Sequence, residues 1–398
     1  MKNKNIVLGI TGSIAAYKAV LIIRELRKKG YNVVTIVTEN ALKFIGEWTL
    51  STLSENKVIK ELFEDKERDF TRHISLSKWA DLLIVAPASA NYIAKAANAI
   101  SDDFLTTFTL SFTGPKLIAP AMNKDMYRNP IVQDNIEKLK KYGFKIITPG
   151  SGFLACGDIG EGRLAEIEKI IFSIEEELYE EKNLKDKTVL ITTGATITKI
   201  DPIRYITNHS TGTMGYFLAI EALLRGAKRV ILIKGKNSKI DKIYSDRIVI
   251  EEVETNKDML EKVKYYLKEV DIFISAAAVL DFKIKDFSKE KIKKRKNKEI
   301  NINLVENIDI LKEISSLKKD NQIFVGFSLE TGDNLEYAKE KLNEKNLDFI
   351  VYNTLSDGEV FGDVKRNYII IGKDKEVHFS NISKQELSSN IFRFIFQQ

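Results

Sequence analysis

The same structural pattern starts twice along this chain, and that repetition limits the fold more than any other feature. From Asn5, NIVLGITGSIAAYKAVLIIRELRKKGYNVVTIV runs as a short apolar strand, a glycine-bearing turn, an amphipathic helix and a second strand. Ala19, Ile22, Ile23 and Leu26 fall at the i, i+3, i+4, i+7 spacing that turns one helix face toward a core. Gly30 follows where a left-handed C-cap would end that helix. The pattern begins again at KTVLITTG (187–194), where a longer loop precedes STGTMGYFLAIEALLRGAKRVILIKG. Two such starts imply two α/β domains. The charged stretch EEELYEEKNLKDK (175–187) separates them, giving domains 1–186 and 187–398.

Later apolar runs extend both sheets. DLLIVAPA (81–88), KLIAPAM (116–122) and KIITPG (145–150) belong to the first half; IVIEEV, DIFISAAAV, QIFVGFSL and DFIVYN belong to the second. These runs do not alternate apolar with polar, as expected for parallel strands covered by helices on both faces. NYIIIG and EVHFS, joined by KDK, read as an antiparallel hairpin at a sheet edge. The expected fold is thus two doubly wound α/β domains, the second Rossmann-like with a mainly parallel sheet. Ligands of such folds sit at the carboxyl ends of the strands.

Composition excludes several classes. With 44% hydrophobic and 30% charged residues the 398-residue chain is ordinary globular material, enough for two domains. One cysteine cannot form an intramolecular disulfide, and MKNKNIVLGITG carries no apolar leader, so the expected compartment is the cytoplasm. No apolar run reaches the roughly 18 residues of a membrane span. The net charge of +6, from 62 basic and 56 acidic residues, is too small and dispersed to indicate a nucleic-acid partner. Part of that excess lies in KEKIKKRKNK (289–298).

In the first half, Gly9, Gly12 and Ser13 stand where strand meets helix, a place where backbone N–H groups can face an anion. APASANYIAKAANAISDDFLTT (86–107) follows another strand with small and hydroxyl residues, among them Ser89, Asn91, Ser101 and Thr106, that would let a flat ring or phosphate approach. His73 precedes the strand near Leu82. In APAMNKDMYRNP (119–130) Asn123 directly follows a strand, where its amide can bind a carboxylate, while Met122 and Met126 are expected in the core. Cys156 lies in ACGDIGEGRLAE (155–166), a glycine-rich polar loop.

In the second half, ITTGATITKIDPIRYITNHSTGTMG (191–215) joins strand to helix, and the helix start near Ser210 to Gly215 is a natural phosphate or carboxylate site. AAAVLDF (276–282) ends a buried strand at Asp281. EKIKKRK (290–296) could close over a polyphosphate and neutralise departing pyrophosphate.

GSIAAYK, PASANYIAK, PAMNKDMY and ACGDIGEGRLA, in this order, resemble the homo-oligomeric flavin-containing cysteine decarboxylases. The chain as a whole resembles the bifunctional phosphopantothenoylcysteine decarboxylase/phosphopantothenate–cysteine ligases of coenzyme A biosynthesis, over nearly its entire length. For the first half the resemblance implies a flavodoxin-like fold and FMN bound by Gly12, Ser13, Ile14, Thr38, Ser89 and Asn91. It also implies His73 as catalytic base, Asn123 as holder of the substrate carboxylate and Cys156 as the acid that protonates the product. The chemistry fits this division. Loss of CO₂ from a cysteine amide leaves a carbanion with no electron sink; oxidation to a thioaldehyde creates one, and the resulting enethiol must then be reduced and protonated. A thiol with a pKa near 8.5 can supply that proton near neutral pH, and Gly157, Gly160 and Gly162 would let its loop close.

For the second half the resemblance implies a ligase that activates the phosphopantothenate carboxylate with CTP, releases pyrophosphate and passes the acyl-cytidylate to the cysteine amine. Lys291 would act on the triphosphate and acyl intermediate, Asn208 at the acyl-cytidylate stage. Asp281, Ile308, Asp309, Ile310, Phe327, Lys341 and Lys345 would form the CTP site, and Mg²⁺ would accompany the triphosphate without assigned protein ligands. Three features depart from the family pattern: TTGATITKIDP lacks a Glu-Pro before its Asp-Pro, Thr213 replaces a common lysine, and Ile308 replaces a common proline. The family further implies trimeric flavin domains and dimeric ligase domains. A nicotinamide dehydrogenase would need G-x-G-x-x-G followed by a ribose-binding acid, which is lacking. A non-catalytic flavoprotein would have no need of His73, Asn123 and Cys156 together.

Overall fold

The computed structural model describes residues 4–62, 71–153, 159–293, 299–332, 334–354 and 364–396. They fall into two compact units, Met1–Tyr179 and Glu180–Gln398. In the first, strands β1 (Asn5–Ile10), β2 (Asn32–Val37), β3 (Leu82–Ala88), β4 (Lys116–Pro120) and β5 (Phe144–Ile146) form a parallel sheet in the order β2-β1-β3-β4-β5. That is the flavodoxin-like order, with its switch point between β1 and β3. The pleat of β1 explains the unbroken apolar run. Ile6, Leu8 and Ile10 pack with Ile22, Ile23 and Leu26 of the helix Ala19–Lys28, whereas Val7 joins Val85, Ile93 and Phe108 on the opposite face. Gly30, at φ 85°, ends that helix in the left-handed region. After β5, β6 (Gly150–Phe153) and β7 (Ile159–Arg163) form a separate antiparallel hairpin.

The second unit contains β8 (Thr188–Thr193), β9 (Ile197–Lys199), β10 (Tyr205–Thr207), β11 (Arg229–Gly235), β12 (Ile248–Val253), β13 (Ile272–Ser275), β14 (Phe282–Ile284), β15 (Leu304–Glu306), β16 (Ile323–Glu330), β17 (Phe349–Thr354), β18 (Arg366–Gly372) and β19 (Glu376–Ile382). Eight of these make one sheet, ordered β12-β11-β8-β13-β16-β17-β18-β19. The first six are parallel; β18 and β19 run antiparallel at the edge. Their KDK turn closes with the Gly372 N–H on the Lys375 carbonyl at 2.8 Å. Two further pairs, β9–β10 and β14–β15, stand apart as two-stranded ribbons.

The charged segment after Tyr179 is held on the second unit. Leu184 N–H donates to the Arg225 carbonyl, and the fully buried Arg225 guanidinium pairs with Glu221 and Glu181, each at 2.7 Å. Removing both carboxylates would leave the buried guanidinium without a counter-charge, a cost that ties the segment carrying Glu181 to this unit. Among the described residues no helix is long and apolar enough to cross a membrane.

Candidate functional sites

The first unit opens a cleft of about 450 Å³ at the carboxyl ends of β1, β2 and β3. Thr11 and Gly12 follow β1, Thr38 follows β2, and Ser89, Ala90, Asn91 and Tyr92 follow β3. The Thr11 hydroxyl ties two of these ends together: it donates to the Pro87 carbonyl and accepts the Ser89 N–H, both at 2.8 Å. Ser89 caps the helix Ala90–Ala97 by accepting the Tyr92 N–H, so the N-terminal turn of that helix borders the cleft, where a helix N-terminus favours an anion.

Two observations show that these residues suit a bound ligand. The Thr38 Oγ1 is buried without a hydrogen-bond partner, a cost that a ligand polar atom would remove. At Gly12 a Cβ would lie 2.6 Å from that of Asn40, so only glycine permits the backbone approach here. Of the six expected flavin contacts, Gly12, Thr38, Ser89 and Asn91 line the cleft. Ser13 instead caps the helical turn Ile14–Lys18, and Ile14 is exposed. Thr106 is buried in a reciprocal capping box with Asp103, which explains its hydroxyl without a ligand.

Asn123 follows β4 and caps the short helix Lys124–Arg128, its Oδ1 accepting the Asp125 N–H at 2.8 Å. Met126 on that helix lines the cleft and is 49% exposed, which corrects its expected place in the core. Beside it, Met122 N–H donates to the Gly162 carbonyl at 2.9 Å, docking β7 against the Asn123 segment. Gly162 has φ 127°, and a Cβ there would sit 2.4 Å from the Met122 carbonyl oxygen. Close docking, rather than loop closure, is what this glycine provides. Cys156 and Gly157 lie outside the described residues; the strands that flank them are β6 and β7. His73 is on the helix Arg72–Trp79, its carbonyl facing Ser111 Oγ at 3.5 Å, and does not line the cleft.

In the second unit a cleft of about 520 Å³ opens where the strand order reverses between β8 and β13. Asp281, Ile308, Asp309, Ile310, Phe327, Lys341 and Lys345 all line it, although they come from four separate stretches of sequence. Asp309 caps the helix Ile310–Ser315 and pairs with Lys345. Burial opposes ionisation of its carboxyl, yet the hydrogen bonds from Lys345 and the Lys312 N–H, with the Lys345 and Lys341 charges, outweigh it and hold the pKa below the usual range. Lys341 Nζ donates to the Phe327 carbonyl at 2.9 Å. Burial pushes this ammonium below the usual lysine range, against the opposing pull of Glu330, Asp309 and Asp281. An entering polyanion would compensate both effects.

Thr192, at the end of β8, also lines this cleft, and its buried Oγ1 lacks a hydrogen-bond partner. Sequence reasoning missed it because one threonine in ITTG is indistinguishable from a strand residue.

A neighbouring cleft of about 210 Å³ is lined by Ser210, Thr211, Gly212 and Thr213 and shares Ala277 and Phe327 with the larger one. Thr213 begins the helix Thr213–Leu224, its hydroxyl 2.7 Å from that of Thr211. Gly215 packs on Thr193, where a Cβ would approach to 2.2 Å. Asn208 Nδ2 donates to the Val279 carbonyl at 2.8 Å, which places it on the backbone leading to Asp281.

Lys291 is exposed and lines neither cleft. The next residue, however, is anchored: Ile292 N–H donates to Asp201 Oδ2 at 3.1 Å, and Arg204 donates to the Ile292 carbonyl at 2.8 Å. The buried Asp201 carboxyl is held far below its usual pKa, first by the Arg204 hydrogen bond and then by the N–H groups of Ile203, Ile292 and Arg204. Among the described residues no group of three or more His, Cys, Asp or Glu side chains could hold a metal ion.

Comparison with known proteins matches both units. The Flavoprotein family model matches residues 1–179, and that of the DNA/pantothenate metabolism flavoprotein C-terminal domain matches residues 184–398. The coenzyme A biosynthesis bifunctional protein CoaBC of Borreliella burgdorferi is 43% identical over 396 residues, covering 99% of this chain and 100% of that protein. Its namesake in Bacillus subtilis is also 43% identical, over 97% of this chain and 93% of that protein. A solved structure of the C-terminal domain of a CoaBC protein aligns with 34% identity and a TM-score of 0.45, covering 54% of this chain and 96% of that one. The chain therefore belongs to the family of bifunctional coenzyme A biosynthesis enzymes, in which a flavoprotein decarboxylase and a ligase share one polypeptide.

Proposed function

We propose that the second unit joins 4′-phosphopantothenate to cysteine at the expense of CTP, and that the first decarboxylates the product to 4′-phosphopantetheine. The convergence of Asp281, Asp309, Phe327, Lys341 and Lys345 on one cleft, beside the unpartnered Thr192 hydroxyl, supports this reading most strongly. In the ligase, Lys341 and Lys345 neutralise the triphosphate, Asp281 and the 308–310 backbone orient the nucleoside, and Lys291 offsets charge as pyrophosphate leaves. Asn208 acts at the acyl-cytidylate, where the cysteine amine attacks. Mg²⁺ travels with the triphosphate, bound chiefly by phosphate oxygens and water.

In the decarboxylase, FMN supplies two-electron oxidation and re-reduction of the substrate. Gly12, Thr38, Ser89 and Asn91 hold it in the cleft, with Ser13 and Ile14 at the margin. Asn123 orients the substrate carboxylate, His73 removes a proton and Cys156 returns one to carbon. Since His73 does not line the cleft of its own chain, the site is completed in a homo-oligomer by the histidine of a neighbouring protomer.

The nucleotide step can be tested with cysteine withheld. Phosphopantothenate and Mg²⁺·CTP should release pyrophosphate up to about one equivalent per site, with ATP far less effective. Pyrophosphate release that requires cysteine, or that prefers ATP, would contradict the acyl-cytidylate reading.

A further inference from the structure

The nucleotide cleft has two walls supplied by separate segments, one ending in Asp281 and the other carrying Ile308 and Asp309. One side chain bonds to both. Asn256 is buried, at 1% exposure, at the start of the helix Asn256–Tyr266. Its Nδ2 donates to the Leu280 carbonyl at 2.9 Å and to the Ile308 carbonyl at 3.0 Å. Its Oδ1 accepts the Thr196 hydroxyl at 2.6 Å and the Leu280 N–H at 3.4 Å. Thr196, fully buried in the turn between β8 and β9, in turn accepts the Leu280 N–H at 3.2 Å. Both amide donors and both carbonyl lone pairs of Asn256 are thereby engaged.

We propose that Asn256, with Thr196, is the positioning centre of the nucleotide site: it fixes the separation of the Asp281 and Asp309 walls through the Leu280 and Ile308 carbonyls. Neither residue lines the cleft, so the effect on nucleotide is indirect. A fully satisfied buried network holds one geometry, whereas a half-satisfied one does not. The pair does more than stabilise the fold, because its bonds end on the residues immediately before Asp281 and Asp309. The Asn307 side chain reinforces the same joint, donating to the Leu280 carbonyl at 3.0 Å.

This inference deepens the ligase reading and rests on it, so its test uses one readout without nucleotide and one with it. In the full-length protein, Thr196→Val removes the hydroxyl that accepts the Leu280 N–H and donates to Asn256 Oδ1, Thr196→Ser keeps it, and Asn256→Asp removes both donors to the wall carbonyls. Without ligand, hydrogen exchange at the Leu280 amide should quicken at least tenfold in Thr196→Val and stay near wild type in Thr196→Ser. In ligation, KM for CTP should rise roughly tenfold or more in Thr196→Val and Asn256→Asp, while KM for cysteine changes little. Decarboxylation of supplied phosphopantothenoylcysteine should be unaltered. If Asn256→Asp does not fold, the valine and serine variants of Thr196 decide alone. Unchanged Leu280 exchange together with an unchanged KM for CTP in Thr196→Val would overturn the proposal. So would equal losses in the valine and serine variants. A wild-type protein without CTP-dependent ligation would instead count against the ligase reading, and the exchange measurement would still judge the joint.

Discussion

Cys156→Ser, assayed in air so that dissolved O₂ reoxidises the reduced flavin, is expected to leave release of CO₂ from phosphopantothenoylcysteine largely intact while the yield of phosphopantetheine collapses. The reason lies in the order of the chemistry. On the proposed mechanism carbon dioxide departs before any proton must be returned to carbon, which assigns the early steps to Asn123, His73 and the flavin and not to the thiol. The last step needs an acid whose pKa lies close to the working pH. A thiol near 8.5 meets that need and an alcohol does not. Loss of a positioned general acid costs roughly 10²–10⁴-fold, so an enethiol two hydrogens short of the product should accumulate. Mass spectrometry of the quenched mixture distinguishes the two species by 2 Da, roughly, the mass of that hydrogen pair. A normal yield of phosphopantetheine would remove Cys156 from the chemistry, and an equal loss of CO₂ release would move its role to an earlier step.

Lys291→Gln should lower ligation by about 10²–10³-fold, the scale for removal of one preorganised charge stabiliser, and leave decarboxylation untouched. Glutamine keeps much of the length and polarity but cannot carry positive charge to a leaving pyrophosphate. The anchoring of Ile292 by Asp201 and Arg204 does not involve the Lys291 side chain, so the base of its loop should survive the change. Pyrophosphate release measures the first effect. Carbon dioxide release from added phosphopantothenoylcysteine measures the second, in the other compact unit. Parallel loss of both would argue that the two activities are not independent.

The sheets were legible because their strands are long and apolar. LLIVAPA of β3 and TVLITT of β8 are buried at every position, so each reads as a continuous run. The edge hairpin β18–β19 was visible from KDK between two strand-like stretches. By contrast, β14 and β15 are three residues each and largely exposed, and no periodicity survives at that length. The larger cleft of the second unit illustrates a second limit. Asp281, Phe327 and Lys341 could be grouped through family resemblance, but spacing alone gives no reason for them to meet. Asn256 was missed for a physical reason: in ETNKDML it sits between Thr255 and Asp258, which form a capping box, and so it looks like part of a helix start. Its function depends on carbonyls far away in sequence. Gly162 shows the converse, since its glycine was noticed and its reason misread: a positive φ beside the Met122 carbonyl, not freedom to move, requires it.

The most direct test supplies the purified wild-type chain with phosphopantothenate, cysteine and Mg²⁺·CTP, with no other enzyme present, and identifies the products by mass. One polypeptide carrying both activities should yield 4′-phosphopantetheine, with CO₂, CMP and pyrophosphate formed in equal amounts. Accumulation of phosphopantothenoylcysteine with no decarboxylated product, or no CTP-dependent product at all, would contradict it.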